Sequence, residues 1–453
     1  MVKISVIMPS LNVADYIEDS ITSVLAQNMD DMEILCIDAG STDSTVDIIR
    51  KYEALDHRVR LIHSNVKSYG YQVNLGIRQA KGDYIGIVET DDRICQEMLP
   101  VMYAVAVKYD LDSVNCNFYF CEHLGGRKIN RPCRPLADAG YSDMYGKVIC
   151  PSDFPKLLDA DWPIWAGIIR KKLLTEHEIW CNESPGAAYQ DLGFSVELYA
   201  ECERTMYLDK FYYLYTFDRS ESSIRQNKSM LQVAGEYQRL YNDKVIRKDR
   251  FDKIRHTLDW KMLNSFIGMT HLVLPMVDYN INSPLFSEPY QWLSKQIRQE
   301  FGGDYSDNIC EVSNDTVERA EFLLSDASRY AERLSEENQI SARNRQALAD
   351  GIHRKNGRIV IFGCGIRGEK LLESLILVEH NSSIQIIIDA ATDNNTKLWG
   401  GSFCGIDVIS PEMAVQKYSN DIFIVANKYH YDDIRQQLQN LGVRKNDIIV
   451  FEP

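Results

Sequence analysis

Glu89-Thr90-Asp91-Asp92 sets three carboxylates within four residues, directly after the apolar run Asp83–Val88. Acids buried at a strand end are costly unless something positive sits among them. Mg²⁺ and Mn²⁺ take oxygen ligands and are commonly held by one or two carboxylates together with substrate phosphates. A metal–diphosphate site is the chemistry this spacing allows; a solvated acidic loop is the plainer alternative. Two more apolar runs end in comparable residues. Asp38 precedes Gly40-Ser41-Thr42-Asp43, a turn that also suits a helix start, and Pro9-Ser10 closes the first run. Ligands of open α/β sheets bind beyond the carboxyl ends of the strands. Three such ends together predict one crevice.

The elements that must carry these residues alternate. Lys3–Met8, Glu33–Asp38, Arg60–His63 and Asp83–Val88 read as strands. Between them, Ile17, Ile21, Val24 and Leu25 share a helical face, capped by Asn12 or Asp15. Val46, Ile49 and Tyr52 mark a second helix, and Val73–Ala80 a third that Gly82 closes. Such alternation predicts an α/β fold with a mostly parallel sheet and helices on both faces. Residues 151–225 are rich in aromatics and turns and carry no clear period. From 226 to 350 the chain reads as helical; Val317, Ala320, Leu324, Ala327, Ala331 and Leu334 follow helical spacing, too briefly to assert a coiled coil. A homo-oligomer, if formed, would use this helical region.

Composition narrows the partners. The 453 residues are 45% hydrophobic and carry a net charge of −15, which suits a multidomain globular enzyme and excludes a long phosphate-tracking surface for nucleic acid. The eleven cysteines are scattered without a CxxC, which reads as reduced thiols in a cytoplasmic protein. Phe266–Val277 is an apolar run of 12 residues containing His271. A bilayer span needs about 20, so a buried helix is expected, with at most peripheral contact at the inner face of a membrane.

The runs VIMPSLNVADYIEDSITSVLAQ, IDAGSTDST and YGYQVNLGIRQAKGDYIGIVETDD, in this order, resemble glycosyltransferase family 2 of the GT-A fold over residues 1–225. The resemblance implies inverting transfer of a sugar from a nucleoside diphosphate, usually UDP, to a saccharide or lipid-linked acceptor, with Mn²⁺ or Mg²⁺. It implies that Pro9, Ser10, Leu11, Asp38 and Gly40 cradle the nucleoside. By the same likeness Tyr69, Gly70 and Asn74 lie near nucleotide and sugar, and Glu89, Thr90 and Asp91 hold ribose and metal. Asp91 and Asp92 are both candidate metal ligands. Pro185-Gly186-Ala187-Ala188-Tyr189-Gln190-Asp191 looks like the family's segment bearing the catalytic base. An inverting displacement needs a group to take the acceptor's proton, and Asp191 is the candidate; helix capping is its structural alternative. Trp165 resembles an acceptor-side aromatic that contacts sugar or packs the core. Asp218 occupies a position where relatives place a metal- or diphosphate-facing residue.

Three departures bear on the base and the diphosphate. Ala39 replaces a second acid of the turn, Val73 stands where relatives commonly have Arg, and Thr216 replaces the usual Arg of the closing segment. Lys67, Arg78, Arg93 and Arg225 are the possible substitute cations.

After Asn356-Gly357 the pattern changes, giving a second α/β domain over residues 351–453. Arg358–Phe362 reads as a strand, Gly363-Cys364-Gly365-Ile366-Arg367-Gly368 matches GxGxxG, and Glu369–Val378 reads as a helix. A strand at Ile384–Asp389 would end in an acid 21 residues after Gly368. In this context Gly363, Gly365, Gly368 and Asp389 fit a Rossmann-like fingerprint for a nucleotide or nucleotide sugar. The expected division is therefore 1–225, 226–350 and 351–453. The C-terminal domain reads as a docking module, a nucleotide site or an NAD(P)-dependent sugar-nucleotide oxidoreductase. A non-catalytic sugar-nucleotide sensor is the remaining alternative, motivated by Ala39, Val73 and Thr216.

Overall fold

The computed structural model describes residues 1–159, 163–217, 229–242, 248–301, 314–382 and 384–451. The chain is mixed α/β and divides into two compact units, Met1–Tyr119 with Cys133–Glu332, and Phe120–Pro132 with Arg333–Pro453. These units differ from a division at 225 and 350. The helical stretch as far as Glu332 groups with the first unit, and thirteen residues of the N-terminal half, 120–132, group with the second.

The strands of the larger sheet are β1 (Ile4–Ser10), β2 (Met32–Asp38), β3 (Val59–His63), β4 (Tyr84–Ile87), β5 (Arg93–Ile94), β6 (Ser113–Leu124), β7 (Arg127–Cys133), β8 (Gly167–Arg170) and β9 (Thr205–Thr216); all lie in the first unit except the end of β6 from Phe120 and β7 as far as Pro132, which belong to the second. They form one sheet in the order β3-β2-β1-β4-β8-β6-β9-β5, with β7 beside β6. The β3-β2-β1-β4 part is parallel, and β8 runs antiparallel to both β4 and β6. Every residue of β1, β2 and β4 is buried. Helices cover both faces of such strands, so they read as near-continuous apolar runs.

Strand order reverses at β1, with β2 on one side and β4 on the other. This is the switch point at which open α/β sheets leave a crevice. The helix Tyr69–Gln79 packs on β1 and β2 as the chain returns to β4. Its start is capped by Ser68, whose Oγ accepts from the Tyr71 amide at 3.2 Å. The first helix begins at Ile17, after Tyr16, with no side-chain cap. Asn12 instead stitches the β1 and β2 loops together: its Oδ1 accepts from the Thr42 amide at 2.8 Å, and its own amide donates to Ser41 Oγ at 2.9 Å.

Helices Ser229–Asn242, Lys248–Met276, Pro284–Phe301, Asn314–Ser325 and Ala327–His353 follow. The apolar spacing from Val317 to Leu334 is split between two helices, because Asp326 caps the second by accepting from the Arg329 amide at 3.0 Å. The run starting at Phe266 lies in the helix Lys248–Met276, whose Leu258, Leu263, Phe266 and Leu274 are fully buried. Among the described residues no helix is long and apolar enough to cross a membrane. Cys36, Cys116, Cys181 and Cys202 are buried free thiols.

In the second unit β10 (Arg358–Phe362), β11 (Ile387–Thr392), β12 (Ser402–Phe403), β13 (Ile406–Ile409), β14 (Ile422–Val425) and β15 (Ile448–Val450) form a sheet in the order β12-β13-β11-β10-β14-β15. All its pairings are parallel except β12–β13. β11 starts later than the expected Ile384–Asp389 strand and runs past Asp389. The Phe120–Pro132 segment is part of this unit's core. Leu124 and Ile129 are buried among Leu372, Leu375, Ile376 and Ile386. Arg131 is buried and paired with Glu122 at 2.5 Å and Glu373 at 2.6 Å, and the Gly125 amide donates to the Glu379 carboxylate at 2.9 Å. A side chain at Gly125 would collide with the Ile386 carbonyl.

Candidate active site

The register of the parallel strands sets Ser10 beside Asp38, and β4 delivers Glu89 to the same end. Pro9, Ser10, Asp38, Thr90 and Asp92 are buried there, while Leu11 is exposed. The Asp38 carboxylate accepts from the Gly40 amide at 2.9 Å and the Ser41 amide at 3.2 Å, which shapes the turn; Gly40 has φ 85°, a region that favours glycine. Thr90 Oγ1 donates to the Pro9 carbonyl at 2.9 Å and ties the β4 end to the β1 end. Gln72 was not foreseen as a site residue. Its buried amide donates to the Ser10 carbonyl at 2.9 Å and the Ile37 carbonyl at 2.5 Å, so one side chain holds two strand ends together.

The four residues of the acidic turn have different surroundings. Tyr69 donates its phenol to Glu89 Oε1 at 2.5 Å. Burial pushes the Glu89 carboxyl up to about 8; the Tyr69 hydrogen bond opposes this and the charges of Asp91 and Asp191 add to it. Asp92 is fully buried and is pushed well above the usual carboxylate range by burial and by Asp91. Both its oxygens are engaged: Tyr213 OH donates to one at 2.8 Å and the Thr216 amide to the other at 2.7 Å. Thr216 Oγ1 also donates to the Asp91 carbonyl at 2.7 Å. Asp91 itself is half-buried.

Tyr213 and Thr216 arrive from far along the chain because β5, just after the acidic turn, pairs antiparallel with the end of β9. Alternation along β9 puts Tyr213 and Tyr215 on one face, and both stack on Trp165, with ring centroids at 4.4 Å and 5.0 Å. Trp165 is half-buried in this stack and meets Phe118 edge-on at 4.8 Å.

Asp191 lies in the first turn of the helix Gln190–Glu201, after Tyr189 in the left-handed region at φ 63°. It is not the cap residue, which is Tyr189. Its helix packs against the helix Tyr69–Gln79, and its charge is felt at Tyr69, Glu89 and Tyr215. The preceding loop is anchored at the start of the Tyr69 helix, where the Tyr69 amide donates to the Gly186 carbonyl at 2.8 Å and the Gly186 amide to the Lys67 carbonyl at 3.0 Å.

Two of the expected donor-site residues, Asn74 and Gly70, also make structural contacts. The buried Asn74 amide donates to the Cys181 carbonyl at 2.9 Å and to Glu183 at 3.0 Å, and accepts from the Cys181 amide at 2.9 Å. Gly70 faces the Asn182 carbonyl so closely that a side chain would collide with it. Both residues fasten the Cys181–Glu183 segment to the helix. Of the substitute cations, Arg78 pairs with Glu183 at 3.2 Å and Arg93 with Asp19 at 3.7 Å. Lys67 is exposed beside Gly40. Asp218 and Arg225 lie outside the described residues.

A divalent cation fits the acidic turn, since oxygen donors are gathered where burial and mutual repulsion press Glu89 and Asp92 toward their neutral forms. Among the described residues no group of three or more His, Cys, Asp or Glu is arranged to hold a metal ion by itself. An ion here would need oxygens from a bound substrate.

In the second unit the glycine turn follows β10, where strand order again reverses. Gly363 has φ 115° and lies against the Ala426 carbonyl; Gly368 lets the helix Ile366–Asn381 close on the Gly363 carbonyl; a side chain at Gly365 would meet open space. Gly363 and Gly368 thus permit close backbone packing, and Gly365 leaves the turn open. Asp389 is not at this end. It sits near the start of β11, paired with Arg358 at 2.6 Å, and Arg358 also reaches Asp421 at 3.5 Å. The acid beside the glycine turn is Asp393, just beyond β11, which accepts from the Cys364 amide at 2.9 Å.

Residues 5–160 match the model of Glycosyl transferase family 2, and residues 355–449 match that of C2185-like, N-terminal. The chain is 29% identical over 218 residues to the uncharacterized glycosyltransferase EpsJ of Bacillus subtilis, covering 47% of this chain and 60% of EpsJ. It is 28% identical over 247 residues to the uncharacterized glycosyltransferase YibD of Escherichia coli, covering 53% of this chain and 68% of YibD. The crystal structure of S. aureus TarS aligns at TM-score 0.44 with 17% identity, over 74% of this chain and 54% of that one. The N-terminal residues 5–160 are a glycosyl transferase family 2 domain.

Proposed function

We propose that the protein is an inverting glycosyltransferase that moves a sugar from a nucleoside-diphosphate donor, a UDP-sugar, to a hydroxyl of a saccharide or lipid-linked acceptor in surface polysaccharide synthesis. The observation that carries this reading is the convergence of Asp38, the Glu89–Asp92 turn and Asp191 on one crevice at the switch point of the sheet. The β1 and β2 turns receive the nucleoside, with Asp38 holding the turn in shape. Glu89, oriented by Tyr69, faces the donor. Asp91 is the residue that would hold Mn²⁺ or Mg²⁺, with Asp92 fixed behind it. The ion when bound supplies positive charge to the departing diphosphate. Asp191 takes the proton of the acceptor hydroxyl as that oxygen bonds to the anomeric carbon. The bond from that carbon to the diphosphate oxygen breaks on the opposite face, and configuration inverts. Trp165 with Tyr215 offers a flat apolar face to a sugar ring.

The test is release of nucleoside diphosphate from a panel of UDP- and GDP-sugars, with and without EDTA, for wild type and Asp191→Asn. Loss of turnover in both perturbed cases is expected. Turnover insensitive to both would sink the mechanism.

A second site for a nucleotide or nucleotide sugar is proposed at the glycine turn of the C-terminal unit. Its support is the opening at Gly365 between two closely packed glycines. Calorimetric titration of the full chain with UDP, UDP-sugars and NAD(H) tests it, using Asp91→Asn to silence the first site.

A further inference from the structure

Glu236 lies on the helix Ser229–Asn242, beyond the family-matched segment, and is 1% exposed. A carboxylate so deeply buried is costly and, paired with a base, is weak evidence for stability. Its contacts give it another use. Asn182 Nδ2 donates to Glu236 Oε1 at 2.7 Å, and Asn182 Oδ1 in turn accepts from the Ser184 amide at 3.1 Å. The same segment is held on its other side by Asn74 and by the bare backbone of Gly70. From there the chain runs through Gly186, tied to Tyr69 and Lys67, and through the left-handed Tyr189 into Asp191.

The same helix also presses on the base of Asp191's own helix. Arg239 pairs with Glu197 at 2.5 Å and approaches Glu236 at 3.7 Å. Gly193 has no side chain, and any would collide with Arg239 and Glu236. The charged groups around Glu236 are therefore Arg239 on its own helix and Asp191 and Glu197 on the facing helix. Glu201, paired with His177 at 3.0 Å, acts on Glu197, and Cys181 lies in the clamped segment.

We propose that Glu236 is a positioning residue for Asp191, acting through Asn182 on the Cys181–Asp191 segment, so that the helix after the family-matched domain completes the transferase site. The inference rests on the transferase reading above. Glu236 touches neither substrate nor reacting atoms; it sets where the base stands. Misplacing a reacting group by about 1 Å costs about 100-fold in rate.

The test reads position and rate separately in the full chain. By hydrogen exchange, Glu236→Ala should raise exchange of the Cys181–Asp191 amides about 10-fold or more while strands β1 and β2 stay protected. Glu236→Gln, which keeps an acceptor for Asn182, should recover at least half of that protection. On a UDP-sugar that the wild type turns over, Glu236→Ala should lower kcat about 10- to 100-fold with donor KM unchanged. Asn182→Ala should do the same, and the double variant should lose no more than either single one. Unchanged exchange in Glu236→Ala, or additive losses in the double variant, overturns the inference. If the exchange result holds but the wild type turns over no donor, the transferase reading fails and the positioning of the segment stands. If Asp191→Asn stops turnover while Glu236→Ala alters neither exchange nor kcat, the positioning inference fails alone.

Discussion

Tyr213 donates its phenol to the fully buried carboxylate of Asp92 at 2.8 Å, and its oxygen accepts from the Glu89 amide at 3.1 Å. One hydroxyl thus closes both ends of the acidic turn. Tyr213→Phe keeps the stack on Trp165 and removes only that hydroxyl. It should lower stability by about 1–3 kcal/mol, the cost of buried polar groups losing their partner. Urea unfolding measures it; an unchanged midpoint would mean that water replaces the phenol.

The Glu197–Arg239–Glu236 cluster predicts a pH dependence. Burial pushes both carboxyls up to about 7, with Arg239 opposing. Their folded values lie above their unfolded ones, so the native state binds more protons between about 4.5 and 7. The stability from these groups is present below that window and is lost as pH rises through it. One such group contributes a slope of at most about 1.4 kcal/mol per pH unit. Unfolding midpoints taken from pH 5 to 7.5 should fall more shallowly in Glu236→Gln than in wild type. Parallel curves would refute the assignment.

The two acids of the C-terminal unit should behave differently. Asp393 braces the glycine turn through the Cys364 amide, whereas Asp389 pairs with Arg358 at the far end of the strands. Asp393→Ala should weaken nucleotide binding at that turn about 10-fold, the scale of one lost charge-assisted hydrogen bond. Asp389→Asn should leave it within about twofold. Calorimetry on both variants decides, and equal losses would return Asp389 to the site.

Phe120–Pro132 should share the stability of the C-terminal unit. Ile129 is fully buried in that core. Ile129→Ala should cost about 2–5 kcal/mol and speed amide exchange in Arg358–Phe362 while leaving Ile4–Ser10 unaffected. Exchange rising in the first unit instead would show that the segment folds with its sequence neighbours.

Much of the crevice was legible because the parallel strands are covered on both faces. Their apolar runs mark where each strand stops, so Ser10, Asp38 and Glu89 could be placed at one end from pattern alone. The same reasoning failed at Asp389. Ile384 through Ile388 is an apolar run whose first residues precede the paired strand, and hydrophobicity does not reveal where hydrogen bonding begins. The signal for Asp393 was Thr392-Asp393-Asn394 at the true strand end. That Asn74 and Gly70 meet Cys181 and Asn182 was not legible, because those partners lie over a hundred residues away.

By itself the sequence determined the α/β alternation, the strand ends that carry the acids and the glycine turn near the C-terminus, because each follows from side-chain periodicity within a short window. Only the tertiary structure decided that Asp92 is sealed by Tyr213 and Thr216, that Glu236 holds the segment leading to Asp191, and that residues 120–132 belong to the second core. Each of these depends on strand pairing or helix packing between distant residues. No local period encodes which distant surfaces meet; that is set by the burial that the whole chain achieves together.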